Sequence, residues 1–266
     1  MHDRISVSSL NFPDLDAIGA VTALGDLGVG HTTAQGSVLE VFGWDKAITL
    51  YERSGIGVDA LIAPYPKTLA DRSTWPAMRR SIIDTVDAAA ELKAGAVYTV
   101  TGPLIGDHDF SVATFLEFIE PARARAIECG IPLAIEPTLP LFAAVSFVTS
   151  LAQMDPLAQA GLDTCLDLYH LWDDPDLDDW LTERAARFPL CQVGDCIAEG
   201  DNRPKVVLGE GDIPLSDRIG SIAASGYTGV FDIELTPGER IAQTGYLSAV
   251  RQSISHLDQV LTSLGI

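Results

Sequence analysis

The sequence predicts an α/β protein of the (β/α)8 barrel class, and three observations carry that reading. Short apolar runs of strand length alternate with segments of helical periodicity along the whole chain, the pattern of a parallel sheet with crossover helices. Eight such runs occur in 266 residues, and eight parallel strands close into a barrel at a typical length of about 250 residues. The turn after the first run reads LNFPDLD, without the glycines that a doubly wound dinucleotide-binding fold places there. No low-complexity stretch, charge block or Gly/Ser linker divides the chain, so a single domain over residues 1–266 is expected.

Taken in order, the strand candidates are residues 5–9, 29–33, 58–63, 96–101, 132–136, 162–168, 190–194 and 229–234. Asp14 is the expected N-cap of the first helix, with Asp16 favourably placed near its positive end. Met78, Ile82, Val86 and Ala90 mark the apolar stripe of a helix that Gly95 is expected to stop. Gly130 is expected to end the fourth helix in a left-handed residue, and Pro121 within that helix predicts a kink or a break. The clearest stripe is the last, with Leu247, Val250, Ile254, Leu257, Leu261 and Leu264 at steps of three and four.

Composition narrows the class of partner. The chain is 47% hydrophobic and 20% charged, as in ordinary globular proteins. It carries 17 Lys plus Arg against 37 Asp plus Glu, a formal charge of −20. Such a field repels nucleic-acid phosphates and anionic membranes, and the densest basic stretch is only Arg79–Arg80. No apolar run approaches the roughly 20 residues of a membrane span, and MHDRISVSSLNF lacks an apolar signal core. The expectation is a cytoplasmic protein acting on a small molecule. Cys129, Cys165, Cys191 and Cys196 form no CxxC pair and are read as buried free thiols.

In a barrel of this class, function sits at the carboxyl ends of the strands. Glu136 ends PLAIE, Asp167 lies near the end of LDTCLD, Gln192 falls in LCQVGD and Glu234 ends GVFDIE. Carboxylates gathered at one mouth repel one another unless a cation holds them. Three carboxylates and an amide oxygen form a hard donor set that suits Mg²⁺ or Mn²⁺. The competing reading gives each of them a private salt bridge.

These segments resemble the xylose isomerase-like TIM barrels, a superfamily of divalent-metal sugar isomerases and epimerases. The resemblance rests on LAIEP with Glu136, CLDLYHLW with Asp167 and His170, QVGD with Gln192 and Asp195, GYTGVFDIEL with Glu234, and the LGEGDIP turn at residues 208–214. It is specific over residues 131–237 and topological over the first 110. The pattern is most similar to the hydroxypyruvate and 2-oxo-tetronate isomerase group, whose DxYHxQ motif resembles Asp167–Trp172 and whose metal-binding glutamine resembles Gln192. The resemblance implies Glu136, Asp167, Gln192 and Glu234 as ligands of Mn²⁺ or Mg²⁺, and Glu136 and Glu234 as the acid/base pair. It implies His170 and Arg203 as contacts to substrate oxygens, and a homo-oligomer in solution. Arg203 stands eleven residues after Gln192, a longer gap than in that group, and the second strand, VGHTTAQ, lacks acidic and aromatic residues.

The implied chemistry is proton transfer beside a carbonyl polarised by the cation, giving an isomerase or epimerase of a small polyhydroxy carbonyl compound. If a β-hydroxyl leaves instead, the same residues serve a lyase or dehydratase acting on inosose, dehydroshikimate or oxidised glycosides. A non-catalytic sugar-binding protein is the alternative of another class. An abasic-site endonuclease, found on related barrels, would need a zinc-binding histidine cluster and a basic groove, which five scattered histidines and a charge of −20 do not offer. No phosphate cradle stands near the mouth, which favours an unphosphorylated substrate. His31 is a candidate for the mouth or for a plain structural role. Trp44, Trp75 and Trp172 are candidates for packing or for stacking on a sugar. Trp180 is expected to anchor a helix, and the acidic run from Asp173 to Asp179 to be its solvated start.

Overall fold

The computed structural model describes residues 1–266 apart from Asp201 and Pro237. Its strands and helices alternate as β1 (Ile5–Val7), α1 (Ala17–Leu27), β2 (His31–Gln35), α2 (Gly36–Phe42), α3 (Trp44–Ser54), β3 (Gly57–Ile62), α4 (Trp75–Leu92), β4 (Ala96–Thr99) and α5 (His108–Cys129). The chain continues through β5 (Leu133–Ile135), α6 (Leu151–Gln159), β6 (Asp163–Asp167), α7 (Leu168–Leu171), α8 (Leu177–Arg184) and β7 (Leu190–Val193). A two-stranded hairpin of β8 (Asp195–Cys196) and β9 (Lys205–Val206) follows, then α9 (Leu215–Ala224), β10 (Phe231–Ile233), α10 (Glu239–Thr244) and α11 (Tyr246–Leu264).

Eight parallel strands form one sheet in the order β1-β10-β7-β6-β5-β4-β3-β2. The sheet curls into a nearly closed TIM barrel whose seam lies between β1 and β2. Side chains bridge that seam: the Thr32 hydroxyl donates to the Val7 carbonyl at 2.7 Å, and the Gln35 amide donates to Ser9 Oγ at 2.9 Å. Most of the apolar core fills the space between the strands and the surrounding helices. A smaller cluster of Ala60, Ala96, Tyr98, Ala134, Cys165 and Leu190 fills the barrel interior. Small residues on neighbouring strands make room there for the one large ring of Tyr98. None of the helices among the described residues is long and apolar enough to cross a membrane.

Local chemistry sets several element ends differently from the sequence expectation. Asp16, not Asp14, caps α1, its Oδ1 accepting from the Gly19 amide at 2.8 Å. Helix α4 ends at Lys93 rather than Gly95. Lys93 is left-handed with φ 56°, the one non-glycine residue with positive φ among the described residues. Gly95 serves the next step, because a Cβ there would lie 2.9 Å from the Asp59 carbonyl. Gly130 ends α5 at φ 68°, as expected. The break expected at Pro121 does not occur, and α5 runs unbroken through it. A proline in a helix leaves the carbonyl four residues earlier without its amide. Here that carbonyl, of Glu117, accepts from Arg79 Nη2 at 2.7 Å, and Arg79 Nε donates to the next carbonyl, of Phe118, at 2.9 Å. All four cysteines are free; Cys165, Cys191 and Cys196 are buried as expected, while Cys129, at the end of α5, is only half-buried.

Candidate metal centre at the barrel mouth

The ladder register sets out the floor of the site. Ser6, Asp232, Gln192 and Asp167 are partners in one continuous row across β1, β10, β7 and β6. Side chains of a strand alternate, so the next inward position beyond Asp232 is Glu234. Its amide still donates to the Val193 carbonyl at 3.0 Å, which keeps it on the strand line. Glu136 is held in the same way, its amide donating to the Thr99 carbonyl at 3.0 Å. Glu136, Asp167, Gln192 and Glu234 are all buried.

Asp167 ends β6 and caps the short α7, its Oδ1 accepting from the Tyr169 amide at 2.8 Å. That turn brings His170 back over the mouth, with Nε2 3.6 Å from Glu136 Oε1 and 3.6 Å from Asp167 Oδ2. One ligand atom each from Glu136, Asp167 and His170 lie within 4.8 Å of one another. His170 Nδ1 accepts from the Leu139 amide at 3.2 Å. That bond places the ring proton on Nε2, so His170 faces the carboxylates as a donor and not as a lone pair for a metal. Burial, followed by the nearby charges of Lys205 and Arg203, holds its pKa well below the usual histidine value, which keeps it neutral.

Gln192 Nε2 donates to Glu234 Oε2 and to the Tyr98 hydroxyl, the latter at 3.1 Å, while its Oε1 faces Cys165 Sγ at 3.1 Å. Burial raises the Glu136 carboxyl well above its ordinary range, and the charges of Glu234 and Asp167 raise it further. Burial pushes Glu234 up to about 7, with Lys205 pulling it down and Asp167 raising it.

The donor set fits a divalent cation. Asp167 Oδ2 is buried without a hydrogen-bond partner among the described residues, an arrangement that costs free energy unless something positive reaches it. Gln192, the ladder partner of Asp167, adds an amide oxygen at the same level of the barrel. A lysine that the sequence reading did not single out completes the charge balance. Lys205 is buried on β9, with Nζ 3.8 Å from Glu234 Oε1. Three carboxylates and one ammonium leave two negative charges, which one divalent ion neutralises.

The other candidates lie elsewhere. Arg203 is at the rim, paired through both guanidinium nitrogens with Asp173 at 3.0 and 2.6 Å and set over the Trp172 ring. With Leu139, Pro140, Leu141 and Gly200 it lines a cleft of about 400 Å³. Trp75 packs against Phe118, its Nε1 donating to the Leu69 carbonyl, and Trp44 packs on the core at the start of α3. Trp180 is buried and anchors α8. His31 begins β2, at the end of the barrel away from the mouth, where it pairs with Asp59 at 3.1 Å. The acidic run is more than a solvated helix start: Asp173 holds Arg203, Asp174 accepts from the Leu151 and Asp176 amides, and Asp178 pairs with Arg218.

The two glycine-containing motifs form one device. Asp195 Oδ2 accepts from the amides of Gly209 and Gly211 at 2.9 and 3.0 Å, and its Oδ1 from those of Cys196 and Ile213. A Cβ at Gly211 would lie 2.1 Å from the Asp195 carboxylate, so only glycine admits this approach. The device fixes the loop that follows the β8–β9 hairpin, and with it the return of Lys205 to the mouth.

The whole chain is similar to several solved structures. A protein of Sinorhizobium meliloti 1021 is 22% identical over 98% of each chain, with a TM-score of 0.78. An IolI protein described with a bound zinc atom is 12% identical over 98% of this chain and 99% of its own, with a TM-score of 0.82. D-Psicose 3-epimerase from Clostridium cellulolyticum H10 is 15% identical over 98% and 99%, with a TM-score of 0.77. Identities this low establish a shared fold. No curated protein matches the sequence. The profile of one family matches residues 37–256, which span β3 to β10 and include Glu136, Asp167, Gln192 and Glu234. The chain belongs to the xylose isomerase-like TIM barrel family.

Proposed function

We propose that this protein is a divalent-metal-dependent isomerase or epimerase of a small, unphosphorylated polyhydroxy carbonyl compound. The observation that carries the reading is the convergence of Glu136, Asp167, Gln192 and Glu234 at four strand ends, with the unpaired Asp167 Oδ2 among them. Family membership and a fold shared with an epimerase of ketoses support a sugar as the substrate class. The four residues would hold Mn²⁺ or Mg²⁺, which supplies polarisation of a substrate carbonyl when bound.

The rest of the chemistry belongs to the side chains. Glu136 and Glu234 follow strands β5 and β10 at the same barrel mouth, and burial raises both carboxyls above the ordinary range, the direction that suits a group that accepts and returns a proton. One removes the proton from the carbon beside the carbonyl. Return of a proton by the other to the opposite face of that carbon gives an epimer. Return to the former carbonyl carbon, with the neighbouring hydroxyl proton passed to the former carbonyl oxygen, gives an isomer. His170 Nε2–H donates to a substrate oxygen, held in place by the Leu139 amide behind it. Arg203, locked by Asp173, contacts the far end of the substrate at the rim cleft.

The test is proton NMR in D₂O on protein loaded with Mg²⁺, with hydroxypyruvate, tetrulose, ketohexose and inosose as the panel. The expected result is metal-dependent deuterium uptake at the carbon beside the carbonyl, absent in Glu234→Gln and after chelation. An isomer or epimer as product confirms the assignment, and a dehydrated product moves it to a lyase. Deuterium uptake that survives both controls would refute the site.

A further inference from the structure

We propose that Lys205 is a positioning residue of the metal centre: a built-in counter-charge that fixes the end of strand β10 and lowers the site's affinity for cations. The proposal rests on the metal reading above and extends it to a residue outside the ligand and substrate-contact sets. Lys205 reaches the mouth because the β8–β9 hairpin turns the chain back, pairing Cys196 with Lys205 and Asp195 with Val206. Its stem and ammonium lie against the Tyr169 ring, with Nζ 4.5 Å from the ring centre. Two of its three N–H groups are engaged, donating to the Glu234 carbonyl at 3.2 Å and the Thr236 carbonyl at 3.1 Å. The remaining one is free for the Glu234 carboxylate, 3.8 Å away.

This arrangement has two consequences. First, the ammonium ties the backbone on both sides of Leu235, so the carboxylate of Glu234 is presented from a fixed strand end. A lysine serves here because its donors can spread over two carbonyls and a carboxylate. Second, the ammonium opposes any cation that enters the same carboxylate cluster. In a buried site a unit charge a few ångströms away changes cation affinity by about tenfold or more. With Lys205 present, a divalent ion brings the centre to neutrality, and without it the loaded centre keeps one negative charge. The sequence around Lys205, DNRPKVV, carries no periodic or motif signal, and only the hairpin discloses its place.

The experiment is calorimetric titration of metal-free protein with Mn²⁺ at fixed pH and ionic strength, for the wild type, Lys205→Met, Lys205→Gln and Lys205→Arg. Near-ultraviolet circular dichroism verifies the fold of each. Lys205→Met is expected to bind Mn²⁺ about tenfold or more tightly than the wild type, while turnover falls. Lys205→Gln keeps a donor for the carbonyls and is expected to tighten binding likewise, which covers the case in which the methionine variant fails to fold. Lys205→Arg keeps the charge and is expected to stay near the wild-type affinity. Folded Met or Gln variants that bind Mn²⁺ as the wild type does, or more weakly, overturn the proposal while the metal reading stands. A wild type and variants that all bind no Mn²⁺ overturn both.

Discussion

Asp232 and Glu234 lie two residues apart on the last barrel strand, face the same interior and are both buried, yet their surroundings differ. Glu234 has Gln192 donating to it and Lys205 beside it, and burial raises it only to about 7. Asp232 sits one layer deeper, where the hydroxyls of Ser6 and Thr33 face it without bonds of ordinary geometry and, among the described residues, no cation pairs with it. Both of its oxygens lack partners among the described residues, and burial raises it well above the usual carboxylate range. A buried carboxylate keeps its charge in the barrel only where a donor and a positive charge reach it. The difference separates a layer whose carboxylate has a donor and an ammonium beside it from one whose carboxylate has neither among the described residues.

The sharpest way to break this comparison is at the mouth. Glu136→Gln removes one partner of the acid/base pair and is expected to lower turnover by about 10²–10⁴-fold, with little change in the fold as read by circular dichroism. His170→Gln keeps a donor but loses the geometry set by Leu139. It is expected to lower kcat/KM by about 10²-fold, the scale of a lost transition-state donor. Steady-state kinetics on whichever substrate shows deuterium exchange checks both. A variant of either residue with unaltered kinetics would remove that residue from the proposed chemistry.

The deeper layer answers to stability. Because the folded-state pKa of Asp232 is raised, the folded protein binds that proton more tightly than the unfolded chain does. Its contribution therefore falls as pH rises from the unfolded value through the folded one, and the penalty is greatest above the folded pKa. Asp232→Asn removes the charge and keeps polar groups for Ser6 and Thr33. It is expected to stabilise the protein by about 1–3 kcal/mol at pH 8, the gain vanishing below about pH 4. Urea unfolding of both proteins at the two pH values measures this. A smaller effect is expected outside the barrel: Arg79→Met strips the donors from the Glu117 and Phe118 carbonyls beside Pro121, at a cost of about 1 kcal/mol. Urea unfolding would show it, and an unchanged midpoint would mean that water replaces the guanidinium.

The same contrast explains what the sequence made legible. Glu136 and Glu234 could be placed because each polar residue closes an apolar run, and a barrel leaves such residues one place to go. The eight strands were readable for the same reason, except that β2, HTTAQ, is polar and buried, which shifted its expected position by two residues; of the two roles open to His31, the structural one is the one it fills. Lys205 left no signal, since a hairpin with two-residue strands, far from any periodic pattern, decides its location. Pro121 was read by its local rule, and the rule failed because Arg79, 42 positions earlier, meets the need that the proline creates. Asp195 with Gly209 and Gly211 stands between these cases: both motifs were visible, while the hydrogen bonds that join them are long-range.

The central claim is that the strand-end cluster is one divalent-cation site. Electron paramagnetic resonance of Mn²⁺ added to metal-free protein tests it directly, comparing the wild type with Asp167→Asn. The account predicts one tightly held Mn²⁺ per chain in the wild type and its loss, or a fall in affinity of at least about tenfold, in the variant. Equal binding by both proteins, or no binding by the wild type, would contradict it.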